Sequence, residues 1–190
     1  MSTQSCFILI LSHTALMFFW IRILIVLARA CFRPKSGATD ETTVSLRVWP
    51  HESEVFFANQ AIYPHYLELA RWDWAVRSGA GRLAIQKRIL FILGGQTLLY
   101  RRPLQRFHRF DVRTKIIGWD ERWFYFEQKI YSTNGQLAHS ALVKACCKQG
   151  KNLVAPLQVL QWLDPSVTTL PPLPSSVLDW QKMERHLLKP

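Results

Sequence analysis

Arg101, Arg102, Arg106, His108 and Arg109 are interleaved with Phe107 and Phe110, a basic run carrying aromatic faces. Such a run holds anions: nucleic-acid backbone, the phosphates of a nucleotide-bearing ligand, or anionic lipid headgroups. Equally, it serves as a solvated loop that keeps a basic protein in solution. No RRM or KH signature accompanies it, so nucleic acid is not expected as a partner. His65, His139 and the Cys146-Cys147 pair lack metal-ligand spacing, because consecutive residues of a strand point to opposite faces. No metal and no cofactor is expected. Gly94-Gly95-Gln96 repeats a tripeptide used elsewhere in ester hydrolysis, but it lies in an apolar run where paired glycines serve a bend over a helix.

The elements that must position these residues follow from composition and period. The chain has 190 residues, is 49% hydrophobic and carries a formal charge of +11, with 8 Gly and 10 Pro. That describes one ordinary domain with an ample core and excludes a disordered or collagen-like chain. Four cysteines without a CxxC pair or a spaced framework read as reduced thiols in a cytosolic setting. Val44, Leu46 and Val48 alternate with polar neighbours, as in a strand. Residues 62–81 change to helical period, with Tyr63, Leu67, Ala70 and Trp74 on one stripe, Pro64 in the first turn, and Gly79 and Gly81 ending the helix. Four strand-like runs come next at residues 89–100, 107–118, 122–132 and 136–148, separated by turn signals. A strand, a long helix and an antiparallel meander predict an α+β fold whose sheet wraps the helix.

The ends are different. Residues 6–28 are almost wholly apolar, and about 20 such residues cross a bilayer core. Arg29, Arg33 and Lys35 come after them, which places the N-terminus outside and the domain in the cytosol. Arg22 is expected to snorkel to the interface. The competing expectation is a cleaved signal, since Ala28-Arg29-Ala30 has the small-x-small form of a cleavage site. Residues 164–175 form a Pro-rich linker, and the residues after it form a short amphipathic helix docked on the domain or lying on the membrane. The division expected is a membrane anchor with its basic flank at 1–35, a folded domain at 36–163, and the linker and helix at 164–190.

Phe57-Ala58-Asn59-Gln60-Ala61-Ile62-Tyr63, continued by Leu69-Ala70-Arg71, resembles the H-x-N-N-A-R-Y signature that opens the central helix of hotdog-fold acyl-CoA thioesterases of the 4-hydroxybenzoyl-CoA thioesterase type. Downstream, Leu99 to Leu104, Phe110-Asp111-Val112-Arg113-Thr114, Gly118-Trp119-Asp120 and Phe124-Tyr125-Phe126-Glu127 are similar to the strands of the membrane-anchored thioesterase superfamily member six group. The resemblance spans residues 44–163. It implies a hotdog fold, an acyl-CoA substrate or ligand, a homodimer, and a site at the start of the central helix.

Thioester hydrolysis needs an oxyanion stabiliser, which N–H groups at a helix N-terminus supply, and a carboxylate to attack or to activate water. In the family an Asp four residues before the motif His does this, often with another two residues earlier. Gapless transfer puts Ser53 and His51 at the acid positions and Phe57 at the His, all departures. Glu52 and Glu54 each lie one residue away, so they are the candidate catalytic carboxylates, with Asn59 shaping the helix entry. Tyr63, Gln60, Arg101 and Arg102 are the candidate substrate-binding residues. Glu68 and Asp73 are further acids, on the helix. The expected function is a membrane-anchored protein, at the endoplasmic reticulum with its domain facing the cytosol, that hydrolyses or binds fatty acyl-CoA. The alternative is a catalytically inactive acyl-binding or scaffold protein on the same membrane.

Overall fold

The computed structural model describes residues 3–188, with side chains from Met17 onward. Its elements run α1 (Thr3–Cys31), β1 (Thr42–Arg47), α2 (Tyr63–Arg77), α3 (Ala80–Lys87), β2 (Ile89–Tyr100), β3 (Arg109–Trp119), β4 (Phe124–Ser132), β5 (Leu137–Gln149), β6 (Asn152–Val154), α4 (Pro156–Leu163) and α5 (Ser175–Leu187). The strands form one antiparallel sheet in the order β1-β3-β4-β5-β2, with β6 added beside β5. The sheet wraps α2, as the order of elements predicts, but the four strands after the helix are not one meander: β3, β4 and β5 follow one another, while β2 pairs with β5 and not with β3.

The reason is the stripe on α2. Tyr63, Leu67, Ala70 and Trp74 are all buried, facing Val112, Phe126, Ile130, Ala141 and Val143 from the sheet. Polar groups under the helix are satisfied rather than exposed: the Gln128 amide donates to the Leu67 carbonyl and to Thr114 Oγ1, both at 2.9 Å, and accepts from Arg71 at 2.7 Å. The helix ends earlier than its pattern suggests. Gly79 takes φ +81, open to glycine and strained for other residues, and the chain turns there and starts α3. One helix over 62–81 is therefore two. Neither α4 nor β6 was expected from the pattern; α4 buries Val159 and Leu160 against Trp74, Ala80 and Leu83 and closes that end of the core.

Linker 164–174 leads to α5 on the outer face of the sheet, so the docked placement holds. Val177 and Trp180 bury against Tyr125, Glu184 pairs with Lys144, and Gln181 donates to the Tyr125 hydroxyl at 2.6 Å. Gly94 and Gly95 serve this face. A side chain at Gly94 would collide with the Trp123 ring, and one at Gly95 would press on Trp180. The pair also carries a β-bulge, between Leu93 and Gly95.

The N-terminal segment departs furthest from expectation. Residues 6–16 of the apolar run lie outside the described side chains. From Met17 on, α1 packs along α2: Ile23 and Val26 join the main core, and Phe19 lies against His65. Arg22 does not snorkel. It is 3% exposed and pairs with the buried carboxylate of Glu52, because docking α1 brings the two together across 30 residues of chain. Arg33 is also used by the fold, donating to Thr43 O at 2.8 Å and approaching Asp73 at 3.4 Å. Among the described residues no helix is long and apolar enough to cross a membrane.

Candidate functional site

Helices α1 and α2 run side by side in the same direction, and their beginnings lie at one end of the sheet. That end gathers residues 48–62, the β2–β3 loop and the β4–β5 turn. Each functional candidate but the two acids along α2 falls there.

Asn59 caps the one-turn 3-10 helix Gln60–Ile62 that leads into α2; its Oδ1 accepts from Ala61 N at 2.8 Å. Its Nδ2 donates to Glu54 Oε1 at 3.0 Å. One side chain thus fixes the helix entry and aims the carboxylate, and Glu54 stays solvent-exposed. A carboxylate so placed has free lone pairs and lies near the positive end of the helix.

Glu52 has a different fate. Besides Arg22 it accepts from Trp49 N at 2.8 Å and from the Tyr66 hydroxyl at 3.0 Å, and it is 3% exposed. Arg22 itself donates to Arg47 O at 2.7 Å and sits over the Trp49 and Tyr66 rings. Burial, with the nearby Glu52 carboxylate, raises the Tyr66 hydroxyl well above its usual range, keeping it a neutral donor. The two glutamates that the sequence ranks together are separated by structure: Glu52 is locked into the core and Glu54 is open.

Tyr63 is buried, and its hydroxyl accepts from Leu104 N at 3.1 Å, which ties α2 to the β2–β3 loop. Gln60 is exposed, and its carbonyl accepts from the Tyr100 hydroxyl at 3.4 Å. Behind them stands His139, 2% exposed, its ring 4.0 Å from that of Tyr63 and with no hydrogen-bond partner at either nitrogen. Burial lowers its pKa to about 4, so the imidazole is neutral at ordinary pH. Sequence reasoning considered His139 only as a metal ligand; its place in the period-two run with Ala141 and Val143 was the signal that it faces the helix.

The acids on α2 are elsewhere. Glu68 lies on the flank of the helix, 3.9 Å from His65. Asp73 is buried and approached by Arg33 and Arg77; burial outweighs both cations and raises its pKa. Neither meets Glu54 or Asn59.

Arg102 lines a cleft of about 540 Å³ together with Arg47, His108 and Arg109, the amides of Gln105 and Gln136, and the β4–β5 turn. No carboxylate lines it, so its chemistry is that of an anion receptor. Arg101 is exposed beside it, outside the lining.

A family pattern described as the thioesterase-like superfamily matches residues 48–181. The chain is similar to Protein THEM6 of Danio rerio, 28% identical over 174 residues, covering 90% of this chain and 85% of that protein. It is also similar to Protein THEM6 of Drosophila melanogaster, 26% identical over 157 residues, covering 82% and 79%. Among solved structures, YbaW, a probable thioesterase from Escherichia coli, matches with a TM-score of 0.59 at 21% identity, covering 67% of this chain and 98% of its own. The protein SAV2348 from Staphylococcus aureus, in complex with CoA, matches with a TM-score of 0.58 at 11% identity, covering 75% and 95%.

Proposed function

The chain belongs to the thioesterase-like superfamily, and from that premise we propose that it binds fatty acyl-CoA at a membrane and hydrolyses the thioester. The observation that carries the reading is the pairing of an open carboxylate, Glu54, with Asn59 at the entry to the central helix.

In this reading the coenzyme A phosphates lie in the arginine-lined cleft and the acyl carbonyl lies at the start of α2. Glu54 takes a proton from a water that attacks the carbonyl carbon, and the charge that develops on oxygen is met by the helix N-terminus. Collapse breaks the C–S bond, and the proton passes to the departing thiolate. The products are a fatty acid and coenzyme A. Glu52 takes no part, being neutralised by Arg22.

A homodimer is inferred from the sheet. Strand β2 lies at its edge, twelve residues long, with Leu90 66% and Leu99 71% exposed. A long apolar edge invites a second strand, and we assign it to β2 of another copy. The beginning of α1, ahead of the part that packs along α2, is assigned to the membrane, at the endoplasmic reticulum, with the domain on the cytosolic side.

A second reading, an acyl-binding protein without turnover, is favoured by one observation: Phe57, Ser53 and His51 stand where the family carries its His and acids. Release of free thiol by the full chain in nanodiscs, assayed over a panel of acyl-CoAs, tests the two. Turnover that depends on Glu54 supports the enzyme; tight binding with no thiol release supports the second reading.

A further inference from the structure

Two turns at the end of the domain where α1 begins its descent along α2 carry large apolar residues against local preference. The first is the tip of the arm at residues 53–58, where Ser53 and Ala58 form an isolated bridge and Glu54 N donates to Phe57 O at 2.9 Å. Its two central residues are Val55, 69% exposed, and Phe56, 71% exposed. Turn centres are ordinarily taken by Gly, Asn, Asp or Pro, whose backbones or side chains suit the bend and the water around it. The second is the β2–β3 loop, where Phe107 adopts φ +64 and is 53% exposed. A left-handed backbone is costly for a bulky residue, and it persists here because Phe107 N donates to Val48 O and Val48 N to His108 O, both at 3.1 Å.

The two turns are one surface. Arg106 N donates to Phe56 O at 2.8 Å, and Phe57 bridges to Gln105. The Arg106 guanidinium lies 4.9 Å over the Phe107 ring. Arg47, Arg102 and Arg109 line one cleft with Phe107, and Arg101 adjoins Arg102 in the same loop; all four are exposed. The exposed carboxylate nearest to it is Glu54, held by Asn59.

Helix α1 says what covers the tip. Phe18 stacks on His51 at 4.5 Å, so α1 leaves the domain beside the arm. Residues 3–16 of α1 extend about 20 Å at 1.5 Å per residue, short of the roughly 30 Å hydrocarbon core. An anchor of that reach needs the domain pressed onto the bilayer. The arm beside which α1 leaves the domain is joined to the loop that carries Arg101, Arg102, Arg106 and Arg109, whereas Arg33 lies by Asp73 and Ser36 by Arg77, toward the far end of α2. Val55, Phe56 and Phe107, with the partly exposed Phe57 beside them, present on the order of a few hundred Å², less than the roughly 800 Å² per partner of a standard protein interface. A membrane interface has no such minimum, and it rewards apolar wedges ringed by cations.

We propose that the tip formed by Val55, Phe56 and Phe107 inserts into the interface of an anionic phospholipid bilayer, with Arg101 and Arg106 on the headgroups. This rests on the membrane assignment of α1 above. It places the entry to α2, with Glu54 and Asn59, at the lipid surface.

The test is an environment-sensitive dye on the full chain in nanodiscs of phosphatidylcholine, with or without phosphatidylserine. The dye is attached through Phe56→Cys, or Lys151→Cys at the opposite end, in a Cys6→Ser/Cys31→Ser background. Cys146 and Cys147 are buried, and burial pushes the Cys147 thiol up to about 12, so neither competes for the dye. The expected result is a blue shift and quenching by lipid-borne quenchers at position 56, stronger with phosphatidylserine, and neither at position 151. Arg101→Glu/Arg106→Glu should remove the phosphatidylserine dependence. A chain that enters nanodiscs while the dye at 56 stays as water-exposed as that at 151 overturns the inference and leaves the anchor standing. A shift at 56 that appears in lipid-free micelles and grows with protein concentration overturns it in favour of a second copy of the chain. Elution of the chain apart from the nanodiscs removes the anchor, and the inference with it.

Discussion

Replacing Arg22 with Met asks whether the N-terminal helix is part of the folded domain or only a tether. The substitution preserves most of the stem that packs among Trp49 and Tyr66 but removes the charge facing Glu52. Glu52 keeps two bonds, from Trp49 N and Tyr66, and loses its counter-charge in a site 3% exposed. Breaking one side of a buried pair costs about 3–5 kcal/mol, whereas replacing both sides together is often near neutral. Arg22→Met should therefore lower stability by about 3–5 kcal/mol. At about 2–4 °C per kcal/mol for a chain of this length, the midpoint falls by roughly 6–20 °C. Arg22→Met/Glu52→Gln should recover most of the loss. The pH dependence has a definite sign. A lone buried carboxylate takes up a proton more readily folded than unfolded, so the single variant should regain stability as pH falls toward the ordinary Glu range and lose it as pH rises through the raised value. Urea and thermal unfolding of the full chain in micelles, followed by tryptophan fluorescence at several pH values, measure all of this. An Arg22→Met variant within about 0.5 kcal/mol of the parent, a change usual for an exposed site, would refute the coupling. So would a double variant whose loss is the sum of the two single ones.

Glu54→Gln should cut thiol release at least about a hundredfold, the scale for losing a general base, without changing the unfolding midpoint of an exposed residue; retained turnover removes Glu54 from the mechanism. Trp74→Ala should cost about 3–5 kcal/mol in urea unfolding, since the ring fills the space between α2 and Phe126 and its Nε1 donates to Ala38 O at 3.0 Å. His139 is neutral when folded down to about pH 4, while the unfolded residue charges below about pH 6.5. The unfolded state thus binds more protons across that window, and stability falls on acidification from 6.5 to 4, by about 3 kcal/mol at most. His139→Leu should flatten that part of the stability–pH curve, and an unchanged slope would show that the imidazole is not held neutral.

Much of the fold was legible because it is written in local period. Strand β2 lies where its apolar run predicts, at Ile89–Tyr100, though it pairs with β5 rather than with the strand that follows it, and β3, β4 and β5 begin and end within about two residues of their patterns, a usual margin for such boundaries. The stripe on α2 identified the core-facing residues from spacing alone. What stayed hidden depends on partners far along the chain. Arg22 read as an interfacial charge because its partner Glu52 lies 30 residues on, and the burial of Glu52 was hidden for the same reason. Glu54 and Asn59 are only five residues apart, and the bond that joins them is local. Gly79 looked like the end of a helix and is a hinge between two, since the second of them, Ala80–Lys87, is too short to announce itself.

The docking of α1 sets an order on how this protein can be made. Helix α1 is synthesised before every group it packs on, so Arg22 spends that interval among apolar neighbours without its carboxylate. Glu52 emerges soon after, but the sheet closes late: β1 pairs with β3, Thr42 opposite Thr114, and β2 waits for β5, Ile89 opposite Gln149. Until those strands exist, the inner faces of α1 and α2 and the length of β2 stay uncovered in the cell. A nascent chain in that condition is one that chaperones hold and that aggregates when they do not. Delivery of α1 to a lipid surface while the ribosome still works on the meander would shorten that exposure. The yield of folded protein from translation with membranes present throughout should therefore exceed the yield when membranes are added afterwards.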